Sequence, residues 1–197
     1  LASGADMVCL DLEDAVAPDA KEAARANVVA AAQSKGYGKR EIAIRCNGLG
    51  TPWGKADIAA IAKSDADAVV VPKVESAAEV ASVVGLLDAA GAPPSMAVWA
   101  MMETPKGILR AEEVAGSHPR LTLFIMGTND LVKDMRARHT PMRLPMITAL
   151  GLGMLAARAP KTLQRVARHV VAARHADLLD GIRHLLHSDL HKTVGYV

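Results

Sequence analysis

Short apolar runs alternate with longer amphipathic segments along most of this chain. The runs are Met7–Leu12 (MVCLDL), Glu41–Cys46 (EIAIRC), Ala68–Lys73 (AVVVPK), Met96–Met102 (MAVWAMM) and Leu121–Met126 (LTLFIM). Each is brief and mostly apolar at consecutive positions rather than at every second one. Strands buried on both faces of a parallel sheet read this way. Their starts lie 34, 27, 28 and 25 residues apart, which leaves room for one crossover helix each time.

The intervening segments carry helix signals. Ser76 and Glu79 have capping-box spacing, and Val80, Val83, Val84 and Leu87 follow at i, i+3, i+4 and i+7. Gly91 and Pro93-Pro94 predict that helix's end. Asp19 is the expected cap of a helix running to about Lys35, with Gly36 just beyond it. Thr104-Pro105 places a cap residue before a first-turn proline. Five βα units predict either a (β/α)₈ barrel or an open doubly wound sheet. No Gly-x-Gly-x-x-Gly follows the first run, so a dinucleotide-binding fold has no support.

The pattern changes after about Ala159. From Lys161 the chain is rich in Arg, His and Leu, with helical periodicity and one short strand candidate at Thr193–Val197. Two units are expected: residues 1–159 as a partial barrel and residues 160–197 as an Arg/His-rich helical tail. Such an abrupt break is the form a reading-frame shift in a GC-rich gene would leave, and translating the other frames past codon 159 would test that origin.

Composition adds bounds. The chain has 197 residues, 51% hydrophobic and 22% charged, as in a globular domain. A complete (β/α)₈ barrel takes roughly 250 residues, so the barrel is expected to be incomplete. Mean hydropathy is +0.17, but the longest apolar run, Met146–Ala157, is short of the ~20 residues that cross a bilayer. The first residue is Leu with no leader pattern behind it, so the N-terminus reads as a cut end. A net charge of +2 gives no case for nucleic acid or an anionic membrane. The excess sits from Lys161 onward, with six Lys or Arg against three Asp. Cys9 and Cys46 each lie in an apolar run and read as free thiols of a reducing, cytoplasmic setting.

Candidate chemistry lies where the apolar runs end. The first ends in Asp11-Leu-Glu13-Asp14, the second in Arg45-Cys-Asn47, the third in Lys73-Val-Glu75, the fourth in Glu103, and the fifth in Asn129-Asp130. Sites in parallel α/β folds form at those C-terminal ends. Crowded carboxylates repel each other unless a cation or proton intervenes. Mg²⁺ takes one or two carboxylates and leaves room for substrate oxygens, and an arginine beside it suits a substrate carboxylate. The expected ligand is a small, oxygen-rich anion held on a metal.

The runs DLEDAVAPDAKEAAR, RCNGLGTPW, VPKVE, METPKGIL and GTNDLVKD occur in order over residues 1–159. Together they resemble the citrate lyase beta-subunit-like family of the HpcH/HpaI aldolase superfamily, which includes malyl-CoA and citramalyl-CoA lyases. The resemblance implies a TIM barrel that lacks its first strand here. It implies Mg²⁺-dependent cleavage or formation of a C–C bond between an acyl-CoA and a 2-oxo acid. It also implies Glu103 and Asp130 as metal ligands, Arg45 as the oxo-acid holder, and Glu13 and Asp14 bonded to waters on the metal. A homo-oligomer, trimer or hexamer, is implied too, with a catalytic acid from a neighbouring subunit that has no counterpart identified in this sequence.

Plainer readings stand beside these. Glu103 also fits a helix N-terminal acid, Asp130 a turn residue, and Arg45 a structural partner of Asp11 or Glu13. Lys21 and Arg25 share a helix face and fit CoA phosphates, a solvated face or nearby acids. The Gly48–Trp53 segment fits a loop over the site or a turn anchored by Trp53. For the whole chain, a metal-dependent aldolase of free 2-oxo acids and a shortened, non-catalytic relative remain as alternatives.

Overall fold

The computed structural model describes residues 5–159 and a strand at 194–196. Five strands form where the apolar runs place them: β1 (Met7–Asp11), β2 (Glu41–Arg45), β3 (Ala68–Val71), β4 (Ala97–Met102) and β5 (Leu121–Met126). The short β6 (Val194–Tyr196) coincides with the strand candidate at the tail's end. All pairings are parallel, in the order β5-β4-β3-β2-β1-β6. Among the described residues this is an open stretch of a (β/α)₈-type barrel, with β5 and β6 at its edges. The stretch from 160 to 193, where the helical tail is expected, lies outside the described residues.

Among the described residues, seven helices follow the strands. They are α1 (Lys21–Gln33), α2 (Gly54–Ile61), α3 (Ala77–Ala89), α4 (Pro105–Leu109), α5 (Ala111–Ala115), α6 (Thr128–Asp134) and α7 (Ile147–Arg158). The α3 face buries Val80, Val83, Val84 and Leu87, as its spacing predicts. Ser76 caps that helix by accepting from the Glu79 N–H at 3.3 Å, and the Glu79 carboxylate reaches back to the N–H of Glu75 at 2.7 Å. Thr104 likewise caps α4, accepting from Gly107 at 3.0 Å, with Pro105 in the first turn.

Two local expectations need correction. Asp19 caps nothing; it lies inside a 3₁₀ turn (Pro18–Ala20), and α1 begins after it with no side-chain cap. At the far end, the left-handed residue is Lys35 (φ 54°), one position before the expected Gly36. The signals lie near the right turns, but the 3₁₀ turn at Pro18–Ala20 takes up the residues that would otherwise open the helix.

Strand alternation divides the core in two. Val8, Leu10, Ile42, Ile44, Val69, Val71, Val98, Ala100 and Met102 face the helices and join the larger cluster. Met7, Cys9, Ala43, Ala68, Val70, Trp99 and Met101 face the other way and form a second, inner cluster with Leu123 and Ile125. Since successive side chains alternate, the next inward positions are Asp11, Arg45 and Glu103. The inner face is therefore apolar along the strands and turns charged at their C-terminal ends. No helix among the described residues is long and apolar enough to cross a membrane.

Candidate functional site

β1 and β2 are paired so that Asp11 lies opposite Arg45. Their side chains form a two-pronged pair: Arg45 Nε donates to Asp11 Oδ1 at 2.7 Å and Nη2 to Oδ2 at 2.6 Å. Burial opposes ionisation of Asp11. The Arg45 hydrogen bond and the N–H groups of Glu13 (2.8 Å) and Ala15 (3.1 Å) outweigh it and hold the carboxyl below its ordinary value. Asp11 thus fixes the plane of the guanidinium and the loop after β1.

Glu13 occupies the other side of Arg45. Its Oε2 lies 2.8 Å from Arg45 Nη1, yet off the N–H direction, so this buried oxygen has a charged neighbour but no hydrogen bond. Oε1 accepts from Lys73 Nζ at 3.2 Å. Burial pushes the Glu13 carboxyl up, against the pull of Arg45 and Lys73. Asp14 is more exposed and stands 3.5 Å from Arg45 Nη1, at the rim.

Glu103 is the most enclosed acid of the group, at 2% exposure. It follows β4 directly, and its Oε1 accepts from the backbone N–H of Lys73 at 2.9 Å. Lys73 can present that N–H because its backbone is left-handed (φ 51°). Burial raises the Glu103 pKa to about 7; the Lys73 N–H opposes this, and the negative charge of Glu13 adds to it. Gly127, at the end of β5, makes room for the side chain: a Cβ there would run into the Glu103 carboxylate and lie 3.1 Å from its Cδ. Asp130, in the first turn of α6, completes the ring, with Oδ2 at 3.5 Å from Lys73 Nζ. Burial pulls the Lys73 pKa down, but Glu13, Glu103 and Asp130 together raise it.

The structure therefore brings Arg45, Glu13, Asp14, Glu103 and Asp130 to one end of the sheet. Five carboxylates, counting Asp11, face two cations, Arg45 and Lys73. The excess of negative charge, the raised Glu103 and the unbonded Glu13 oxygen suit an added cation. Among the described residues no group of three or more His, Cys, Asp or Glu side chains is arranged to hold a metal. A site built on Glu103 and Asp130 alone would fit Mg²⁺, which keeps several waters.

Other residues fall differently from expectation. Lys21 is buried at 5% exposure and turned inward, so it is not a phosphate ligand on an open face. Its ammonium donates to the carbonyls of Leu12 and Glu13, both at 2.7 Å, and to Asn47 Oδ1 at 2.8 Å. Arg25 pairs with the fully buried Asp57 at 2.7 Å, in line with the nearby-acid reading. Trp53 lies over Lys21, 5.3 Å from ring centre to Nζ, which favours the anchored-turn reading of the Gly48–Trp53 loop. Asp57 escaped the sequence reading, whereas Asn47 stands among the residues that end the second apolar run. Asp57 looks like any acid in a first helical turn, and only its burial marks it out.

A profile of the HpcH/HpaI aldolase/citrate lyase family matches residues 1–181. The chain is 48% identical over 155 residues to a (3S)-malyl-CoA thioesterase of Cereibacter sphaeroides, covering 79% of this chain and 52% of the relative. It is 36% identical over 146 residues to an L-malyl-CoA/beta-methylmalyl-CoA lyase of the same species, covering 71% and 46%. The chain spans about half the length of these curated relatives. Among solved structures it resembles the citrate lyase beta subunit of M. tuberculosis complexed with oxaloacetate and magnesium. That match has a TM-score of 0.66 at 29% identity and covers 89% of this chain and 71% of the other.

Proposed function

The chain belongs to the HpcH/HpaI aldolase/citrate lyase family, and from that premise we propose that it acts as a Mg²⁺-dependent carbon–carbon lyase. The substrate would be a 3-hydroxyacyl-CoA of the malyl, citramalyl or citryl type, split into an acyl-CoA and a 2-oxo acid. The observation that carries the reading is the buried Glu103, held at the end of β4 among converging carboxylates and beside Arg45. The named lyase relative and the magnesium-bound structural neighbour support it.

Glu103 and Asp130 would hold the metal, with Glu13 and Asp14 bonded to the waters around it. When bound, Mg²⁺ supplies positive charge that polarises the substrate's hydroxyl or keto oxygen. Arg45, its plane fixed by Asp11, would bind the carboxylate that ends up on the oxo acid. The hydroxyl would give up its proton to water as its oxygen becomes the keto oxygen of the oxo acid; the bond between the carbinol carbon and its neighbour breaks, and its electron pair passes to the thioester fragment as an enolate that takes a proton back from water. Burial of Glu103 keeps its carboxylate out of bulk water, so that its charge acts strongly on whatever lies beside it.

A second reading has its own support. The relative at 48% identity is named as a thioesterase, which would hydrolyse malyl-CoA at the thioester rather than split its carbon chain. Incubation of the purified chain with malyl-CoA and Mg²⁺ separates the two. Acetyl-CoA and glyoxylate are expected from the lyase; malate and free CoA would establish the thioesterase instead. Equal turnover of the free hydroxy acid would favour an aldolase that needs no CoA. Full activity in excess EDTA would remove the metal from the scheme.

A further inference from the structure

The strongest unassigned feature is the buried ammonium of Lys21. A lysine amine has three N–H donors, and here all three are taken: Leu12 O, Glu13 O and Asn47 Oδ1. The first two lie in the loop after β1 and the third in the loop after β2. Asn47 Nδ2 also donates to Leu12 O, at 2.9 Å, so the two loops are laced twice. Behind Asn47, the Asp57 carboxylate accepts from its backbone N–H (2.9 Å) and its side-chain amide (2.6 Å). The ammonium also lies over the Trp53 ring, 5.3 Å from its centre.

We propose that Lys21 is a positioning residue that clamps the Glu13 loop to the end of β2 and so fixes where Glu13 and Arg45 stand relative to each other. The role assigned to those two residues rests on the lyase reading; the clamp itself does not. A buried ammonium is expensive unless fully bonded, so it holds its three acceptors in one arrangement. An apolar side chain of the same length would leave Asn47 Oδ1 without its donor and strip one of two bonds from each of the Leu12 and Glu13 carbonyls, which keep Asn47 Nδ2 and the Val16 N–H, and so free the loop to move.

Lys21→Met in the full chain is the test, with Arg120→Met, which loses bonds to Asp88 and Met96 O at the opposite end of the strands, as the control for general loss of stability. Amide exchange at Glu13 and Ala15, whose N–H groups bond Asp11, is expected to speed up about tenfold or more in Lys21→Met, with protection in β3 and β4 unchanged. Its kcat is expected to fall about tenfold or more while KM for the thioester stays within about threefold, as for a group that orders the reacting site. Arg120→Met should hold both within about twofold. Unchanged exchange at Glu13 and Ala15 in folded Lys21→Met overturns the clamp. If Lys21→Met does not fold, Lys21→Gln, which keeps a donor, should show intermediate exchange; failure of both to fold overturns the proposal, because Lys21 would then serve the core as a whole. Faster exchange in a protein whose wild type neither binds Mg²⁺ nor turns over thioester would keep the clamp and sink the lyase reading.

Discussion

At the scale of single residues, the site is a set of charges whose environments differ. Glu103 is nearly sealed, whereas Asp130 keeps about a third of its side chain in solvent. Glu103→Gln preserves shape and removes the charge. It is expected to fold, to lose at least about a hundredfold in turnover, and to lose any Mg²⁺-induced rise in melting temperature. A normal Mg²⁺ response in that variant would remove Glu103 from the metal. The Asp11–Arg45 pair predicts an acid limb of stability. The folded-state pKa of Asp11 lies below its ordinary 3.8, so between the two values the folded protein binds fewer protons than the unfolded chain. That contribution is fully present above the unfolded value and is lost as pH falls through the folded one. Asp11→Asn should cost about 2 kcal/mol near neutrality by taking the two-pronged carboxylate from Arg45, which keeps Glu13 at 2.8 Å, and should flatten stability against pH below about 4, as read by denaturant melts. These acids are legible in the sequence because each follows an apolar run. Lys21 is not, because a lysine opening an amphipathic helix is usually solvated.

At the scale of elements, the loop after β3 does two jobs through one residue. Lys73 is left-handed, which points its N–H at Glu103, while its side chain bridges Glu13 and Asp130. A β-branched residue tolerates that backbone poorly and glycine tolerates it freely. Lys73→Val is therefore expected to melt earlier than Lys73→Gly by about 1–2 kcal/mol, although both lose the ammonium. Equal stabilities would mean that the turn relaxes. Helix caps and the buried stripe of α3 are readable from spacing alone, since capping chemistry is local. The left-handed turn at Lys73 is not, because lysine carries no signal for it.

At the scale of the whole molecule, five parallel strands and two cores are legible because each strand is short, apolar and followed by room for a helix. The clamp between the first two loops is not, since its members are far apart in sequence: Lys21 to Asn47, and Arg25 to Asp57. The whole-chain prediction is thermodynamic. Mg²⁺ with glyoxylate should raise the melting midpoint, by about 2.7 kcal/mol of stability at a hundredfold excess over Kd. No shift at any concentration would favour a non-catalytic relative.

One irregularity in the sheet has a consequence for how the chain tolerates change. β4 and β5 slip by one residue, so that Val98 faces Leu121 but Trp99 faces Leu123, and Thr122 is the extra residue. Before the slip Leu121 packs with the helices; after it Leu123 and Ile125 point inward. A strand is a two-beat rhythm, and Thr122 is a dropped beat that changes which foot lands inside. Because of it, Gly127 falls on the inward beat beside Glu103. Losing or gaining one residue between Leu123 and Met126 would put the wrong residue opposite Glu103, whereas length changes in the loops that enter the strands would leave the beat intact. Single-residue deletions walked along 116–127 should therefore abolish Mg²⁺-dependent stabilisation only once they pass Thr122.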